Sequence, residues 1–236
     1  MKTYQNFKYA SLSILFVGII TIILLGCTHS DHSISRQRPS GILEDEKIAV
    51  LFDTEPYSQF SALEKKIGKC ISKAIKKLDK KVEIFPSKTF RQIAFEGIES
   101  ESIKTTNQAV NSMLTNSSML ENIEGLGVHY LILFQSTTEK FKDTDNSRFW
   151  GVGGYGGGVF GYHASIHNQT HIYGEVYDIS RRCRSGSIEA RARGKEGAGA
   201  VFIIPYYWPA FDETLACEEF GNGVAEYLFG NTKLNN

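Results

Sequence analysis

Lys47-Ile48-Ala49-Val50-Leu51-Phe52-Asp53 is a short, nearly continuous apolar run, with Pro56 just beyond it. Such a run reads as a buried strand. Downstream, Phe60, Leu63, Ile67, Cys70, Ile71, Ala74 and Leu78 recur at three- and four-residue spacing and predict an amphipathic helix. Ser61 and Glu64 have the spacing of a capping box at its start. The other side of this helix carries Lys65, Lys66, Lys69, Lys73, Lys76 and Lys77. A basic stripe of this kind is first a solvated face and only then a surface for acidic partners.

Working outward, Val82-Glu83-Ile84-Phe85 is a second short strand, stopped by Pro86. Thr89–Ile98 fits neither period. A weaker helix is expected from Thr106 to Asn122, marked by Val110, Met113, Leu114 and Leu120, and a third buried strand within Gly127–Gln135. His171–Ser180 alternates, with Ile172, Gly174, Val176 and Asp178 on one parity and His171, Tyr173, Glu175 and Tyr177 on the other. Cys183–Arg193 alternates too. Two such runs around Ser180-Arg181-Arg182 predict an antiparallel hairpin with one wet face, across which Glu175 and Arg191 are expected to pair. Gly194–Gly199 reads as a small-residue linker, and Ala200–Phe211 is strongly apolar and aromatic. A last helix is expected from Glu213 to Phe229, with Asp212 and Gly230 at its ends. Gly221 and Gly223 inside it each cost about 1 kcal/mol relative to Ala and permit close packing. The order β-α-β-α-β-β-β-α implies an α/β fold (an α+β sandwich): a mixed sheet with helices packed mainly on one face. One domain is expected over 47–230, followed by a tail at 231–236.

The chain has 236 residues, 26 basic and 26 acidic, for a net charge of zero. A nucleic-acid binder with a large basic surface usually has a pI above about 9, so that class is set aside. Lys2 and Lys8 open the chain and an apolar run follows from Leu12 to Leu25, interrupted by Ser13, Gly18 and Thr21. This is shorter than the about 20 residues of a membrane-spanning helix and fits the apolar region of a secretory signal. Leu24-Leu25-Gly26-Cys27 resembles the bacterial lipobox. That resemblance implies a signal peptide over 1–26, cleavage between Gly26 and Cys27, and a diacylglyceryl Cys27 bearing acyl chains such as palmitate. Two or more chains make a stable membrane anchor. Residues 27–46 are then the lipidated cysteine and a flexible tether, with Thr28–Gly41 polar throughout. The same resemblance implies, from Thr28 in place of Asp, the outer membrane in a cell that has one, with the domain facing the periplasm. With Cys27 assigned to lipid, Cys70, Cys183 and Cys217 remain and no Cys-x-x-Cys is present. An exported chain meets an oxidising compartment. Cys70 and Cys217, both on apolar faces of expected helices, are the expected disulfide; three free thiols are the alternative. Cys183 lies beside Arg181, Arg182 and Arg184.

The layout resembles the periplasmic α/β domain shared by CsgG-like curli-secretion lipoproteins, the TolB amino-terminal domain, and the outer-membrane lipoproteins that activate peptidoglycan synthases. The likeness is carried by Lys47–Asp53 leading into a helix, by Val82–Phe85, by Gly125-Leu126-Gly127-Val128-His129-Tyr130-Leu131-Ile132-Leu133-Phe134, and by Tyr177-Asp178-Ile179 opening the hairpin. His129 stands where these domains often carry an acidic residue, and Ser180-Arg181-Arg182 replaces a Thr-Gly turn. The resemblance implies binding and assembly, with no catalytic residues.

Gly151-Val152-Gly153-Gly154-Tyr155-Gly156 matches G-x-G-x-x-G, but a dinucleotide site needs that motif between a strand and a helix. Here it sits in the glycine- and aromatic-rich stretch Trp150–Tyr162, which reads as a flexible loop or a glycine-rich strand, with a self-associating or membrane-touching hairpin as the alternative. His163, His167 and His171 share a parity, but on a strand each lies about 13 Å from the next, at about 3.3 Å per residue, whereas zinc needs ligands within about 2.1 Å of one ion. No His-Glu-x-x-His, G-x-S-x-G or P-loop occurs, so no catalytic residue, metal or cofactor is assigned. The expectation is a non-catalytic, lipid-anchored envelope protein that binds a protein partner. Tyr206, Tyr207, Trp208, Trp150 and Tyr155 are the candidate partner or membrane contacts. The alternative is a homo-oligomeric secretion channel like the curli pore; an enzyme is the third class.

Overall fold

A computed structural model describes residues 29–36, 46–53, 61–78, 81–96, 105–141, 148–154, 157–201, 204–208 and 211–230. Residues 1–28, with them Gly26 and Cys27, and Tyr155 lie outside the described residues. Their order is β1 (His29–Arg36), β2 (Lys47–Phe52), α1 (Ser61–Lys77), β3 (Glu83–Phe85), α2 (Ser87–Ala94), α3 (Thr106–Thr115), α4 (Ser117–Glu124), β4 (Val128–Phe141), β5 (Arg148–Gly154), β6 (Gly157–Asp178), β7 (Cys183–Val201), β8 (Ile204–Trp208) and α5 (Asp212–Phe229). The chain is an α/β fold. Where one domain was expected over 47–230, it divides into two compact units, one holding residues 140–168 and 193–212 and the other 30–139, 169–192 and 213–236.

In the larger unit the strands run β1-β7-β6-β4-β2-β3. β2 is parallel to both β3 and β4. β6 and β7 form the expected hairpin around the turn at Ile179–Arg182. The run that decides the fold is split by its own alternation. Ile48 and Val50 enter one core with Tyr130, Ile132 and Phe134 of β4, while Ala49 and Leu51 enter a second core with Leu131 and Leu133. Opposite Lys47 and Ile48 the pairing jumps from Val128 to Tyr130. This bulge at His129 turns Val128 into the second core although its parity matches Tyr130.

Each core has its own helix layer, which corrects the expectation of helices mainly on one face. α1 (Ile67, Ile71, Ile75) and α5 (Phe220, Val224, Leu228) cover the first core. α2 (Phe90, Ala94), α3 (Val110, Met113) and α4 (Leu120, Ile123) cover the second. Strands without polar alternation are buried on both sides and require both layers. The second layer is hard to read because its helices are short. Thr89–Ile98, which fitted no period, begins inside α2, and the single helix expected over Thr106–Asn122 is two. Asn116 breaks it with extended backbone, and its side chain accepts from Ser118 N (3.1 Å) and Met119 N (3.4 Å) to cap α4.

Cys70 of α1 and Cys217 of α5 form the expected disulfide, with Cα atoms 5.9 Å apart. Beside it, a Cβ on Gly221 would lie 2.6 Å from the Cys70 carbonyl oxygen, so α1 and α5 approach there as closely as glycine allows. Part of the α1 lysine stripe is not simply solvated: Lys66 meets Glu213 at 3.1 Å and Lys73 meets Glu218 at 2.5 Å on α5.

The expected tether also changes. His29–Arg36 is the edge strand β1. With Ile34 as its single apolar side chain, it is held by polar contacts to α5. His32 Nδ1 lies 2.8 Å from Glu219 and Nε2 lies 3.3 Å from Glu226, Ser30 Oγ donates to Glu219, and Arg36 donates to the Glu226 carbonyl and lies over the Tyr227 ring. Gly186 of β7 admits the Ser35 carbonyl, which would lie 2.4 Å from a Cβ there.

In the other unit, β5 pairs antiparallel with the start of β6, from Arg148↔His163 to Gly154↔Gly157. β8 pairs antiparallel with the end of β7, from Gly197↔Trp208 to Val201↔Ile204. Gly194–Gly199, expected as a linker, is strand.

Candidate functional site: a polar cleft and an aromatic strand unit

Tyr173, Glu175 and Tyr177 alternate onto one face of β6, and Glu175 and Tyr177 meet Asn107 at the start of α3. Thr105 caps that helix by accepting from Gln108 N (3.3 Å). Asn107 is fixed twice: its backbone N–H donates to Asp53 Oδ1 (3.0 Å), and its side-chain amide donates to Glu175 Oε2 (3.2 Å). Tyr177 donates to the same oxygen at 2.7 Å. Arg184 Nη2 meets the other oxygen at 3.1 Å and also donates to the Tyr173 hydroxyl at 2.8 Å. Burial, then the Glu175 carboxylate, push the Tyr177 phenol well above its ordinary value, so it stays a protonated donor. The partner expected for Glu175 was Arg191, which instead meets Glu189 of its own strand. Ser185 Oγ donates to the Val176 carbonyl (3.1 Å) within the same hairpin, and Arg184, not Arg191, stands beside Glu175.

Asn107, Glu175, Tyr177 and Arg184 line an open cleft of about 420 Å³. Asn111, Leu114 and Thr115 of α3 form one side, and Arg182, Cys183 and Arg184 the other. Asn111 donates its amide to Asn107 Oδ1 (2.8 Å). Cys183 is a free, half-buried thiol. Arg182 has φ +55°, the left-handed region, where a residue with a Cβ costs roughly 1–2 kcal/mol. Glycine or asparagine normally takes such a turn position. Glu175 is engaged at both oxygens, and the lining offers fixed hydrogen-bond donors for recognition.

A second polar cluster ties elements together. Glu64, expected in a capping box, accepts from Phe52 N (2.9 Å) and from Arg91 Nη2 (2.5 Å), and Arg91 reaches on to the Phe52 carbonyl and Thr106 Oγ1. The pair is buried and joins β2, α1, α2 and α3.

The aromatic candidates fall in the smaller unit. Tyr206, Tyr207 and Trp208 lie on β8, and Trp150 on β5. Tyr207 is 66% exposed. Among the described residues the exposed large hydrophobic side chains are Tyr207, Phe211 and Phe141, and all three belong to this unit. Gly151–Gly154 of the G-x-G-x-x-G stretch is strand paired to strand, not a strand-to-helix turn. His167 is exposed and His171 faces Glu189 at 2.9 Å. Among the described residues no group of three or more His, Cys, Asp or Glu is placed to hold a metal ion, and no helix is long and apolar enough to cross a membrane.

Sequence reasoning marked the arginines around Cys183 but missed Asn107 and Asn111. The signal that could have found the cleft is Arg182 in the turn Ser180-Arg181-Arg182, at a left-handed position that glycine would fill.

No protein-family model and no curated protein matches the chain. A dodecamer of a PelC variant from Paraburkholderia phytofirmans is similar at 10% identity, over 86% of this chain and 99% of that one, with a TM-score of 0.37. The hypothetical protein CT253 from Chlamydia trachomatis is similar at 11% identity, over 79% and 99%, with a TM-score of 0.35. At these scores neither carries a fold or a function over to this chain.

Proposed function

We propose that this chain is a non-catalytic, lipid-anchored protein of the bacterial cell envelope, held in the outer membrane through Cys27, whose aromatic strand unit contacts a protein partner. The observation that carries the reading is the gathering of Phe141, Tyr207 and Phe211, all exposed, in one unit. Exposed apolar groups concentrated in this way mark interaction surfaces. The lipobox-like Leu24-Leu25-Gly26-Cys27 supports the anchor.

The test has two arms. Cys27→Ser is expected to lose the acyl mass and to leave the membrane fraction. Tyr207→Ala combined with Phe211→Ala is expected to remain folded and membrane-bound but to lose its co-purifying partner. If that double variant keeps every partner, the contact surface lies elsewhere.

A secretion-channel reading draws on the two short antiparallel pairings, β5 with β6 and β7 with β8, in the same unit. It predicts a ring of several subunits when the mass of the detergent-extracted protein is measured by light scattering. A monomer or dimer removes it.

A further inference from the structure

The cleft between α3 and the start of β7 has a charge that its own residues do not balance. Glu175 is the acidic group in its lining and is already met by Arg184, Tyr177 and Asn107. Arg182 remains: its guanidinium has no partner among the described residues. Arg184 makes both its contacts through Nη2, leaving its other nitrogens without a described partner. One unbalanced positive charge, presented on two guanidinium forks, suits a single carboxylate, which arginine binds in bidentate fashion. A phosphate monoester carries about two negative charges and leaves one uncompensated. Asn111, on the facing side, spends its amide N–H on Asn107, and its carbonyl is left to accept. Leu114 adds an apolar wall. The cavity is within the size range of small-molecule sites. Arg182 keeps its place in spite of left-handed backbone, and side chains held against strain cluster at ligand clamps.

We propose that this cleft binds a small carboxylate with an amide N–H beside it, the chemistry of an N-acylated amino acid or a peptide C-terminus. Arg182 and Arg184 take the carboxylate, Asn111 Oδ1 accepts the amide N–H, and the Glu175 network holds Arg184 in place. The proposal does not depend on the envelope reading: it concerns the larger unit, and its test needs neither lipid nor partner.

The test is calorimetric titration of the full-length chain in detergent with N-acetylglycine, acetyl-triglycine, acetyl-triglycine amide and inorganic phosphate. A carboxylate probe is expected to bind with a dissociation constant of about 1 mM or tighter. The tighter of the two acids names the source, free acid or peptide end, and either supports the proposal. The amide is expected to bind at least about tenfold more weakly. Arg182→Gly relieves the backbone and removes the guanidinium, so it should keep or raise the unfolding midpoint while weakening the acid at least about tenfold. As a second readout, the acid should slow alkylation of Cys183, followed by peptide mass, in the parent chain but not in Arg182→Gly. The proposal is overturned if neither acid binds nor protects Cys183, if the amide binds as well as the acid, if phosphate binds more tightly than both acids, or if Arg182→Gly binds the acid unchanged.

Discussion

His32 sits between Glu219 and Glu226, which are two turns apart on one face of α5. Burial alone lowers the imidazole's affinity for its proton, but carboxylates at both ring nitrogens outweigh it and hold the pKa above the ordinary 6.5. A histidine whose pKa is raised on folding contributes stability that is complete below its unfolded value and is lost as pH rises through its folded value. β1 is therefore expected to be held more tightly at about pH 5.5 than at about pH 8.5. Amide hydrogen exchange in His29–Arg36, corrected for intrinsic rate, checks this: protection should fall across that interval, and His32→Gln should remove the change. Equal protection at both pH values would show that the clamp does not depend on the imidazolium. At this scale the sequence was legible where a side chain's neighbours lie along its own helix or strand. Cys70 and Cys217 were found because each lies on the apolar face of an evident helix. Alternation gave the face of Glu175 but not its partner, because the hairpin register that brings Arg184 beside it depends on the turn.

At the scale of elements, α1 and α5 form one layer held by the disulfide, the close approach at Gly221 and two lysine–carboxylate pairs. The bond spans a sequence separation of 147. Long loops gain most from closure, and removing such a bond costs about 2–4 kcal/mol. Urea unfolding of Cys70→Ala with Cys217→Ala is expected to show a lower midpoint and an unfolding free energy lower by that amount, with a steeper slope because the denatured chain is no longer cross-linked. An unchanged midpoint would mean that the bond is absent in the folded protein or does nothing for stability. The long periodic helices and the apolar strands were readable because their own patterns specify them. β1 was not, because a polar edge strand is defined by partners far away in sequence. α2 was not, because its two buried side chains, Phe90 and Ala94, are too few to set a period. The break at Asn116 was overlooked because the apolar marks continue across it.

At the scale of the whole molecule, the larger unit buries two cores, whereas the smaller unit leaves Phe141, Tyr207 and Phe211 exposed. The α/β class followed directly from Lys47–Phe52 and its helix. The division into two units did not, since β6 and β7 are continuous strands that belong to both. The central claim is that the smaller unit is the contact surface of an envelope protein. It is tested most directly by placing a photo-crosslinking residue at Tyr207 in the full-length protein in cells, with the same residue at exposed Lys76 of α1 for comparison. The account predicts a discrete protein adduct from position 207 and none from position 76. No adduct at 207, or the same adducts from both positions, would contradict it.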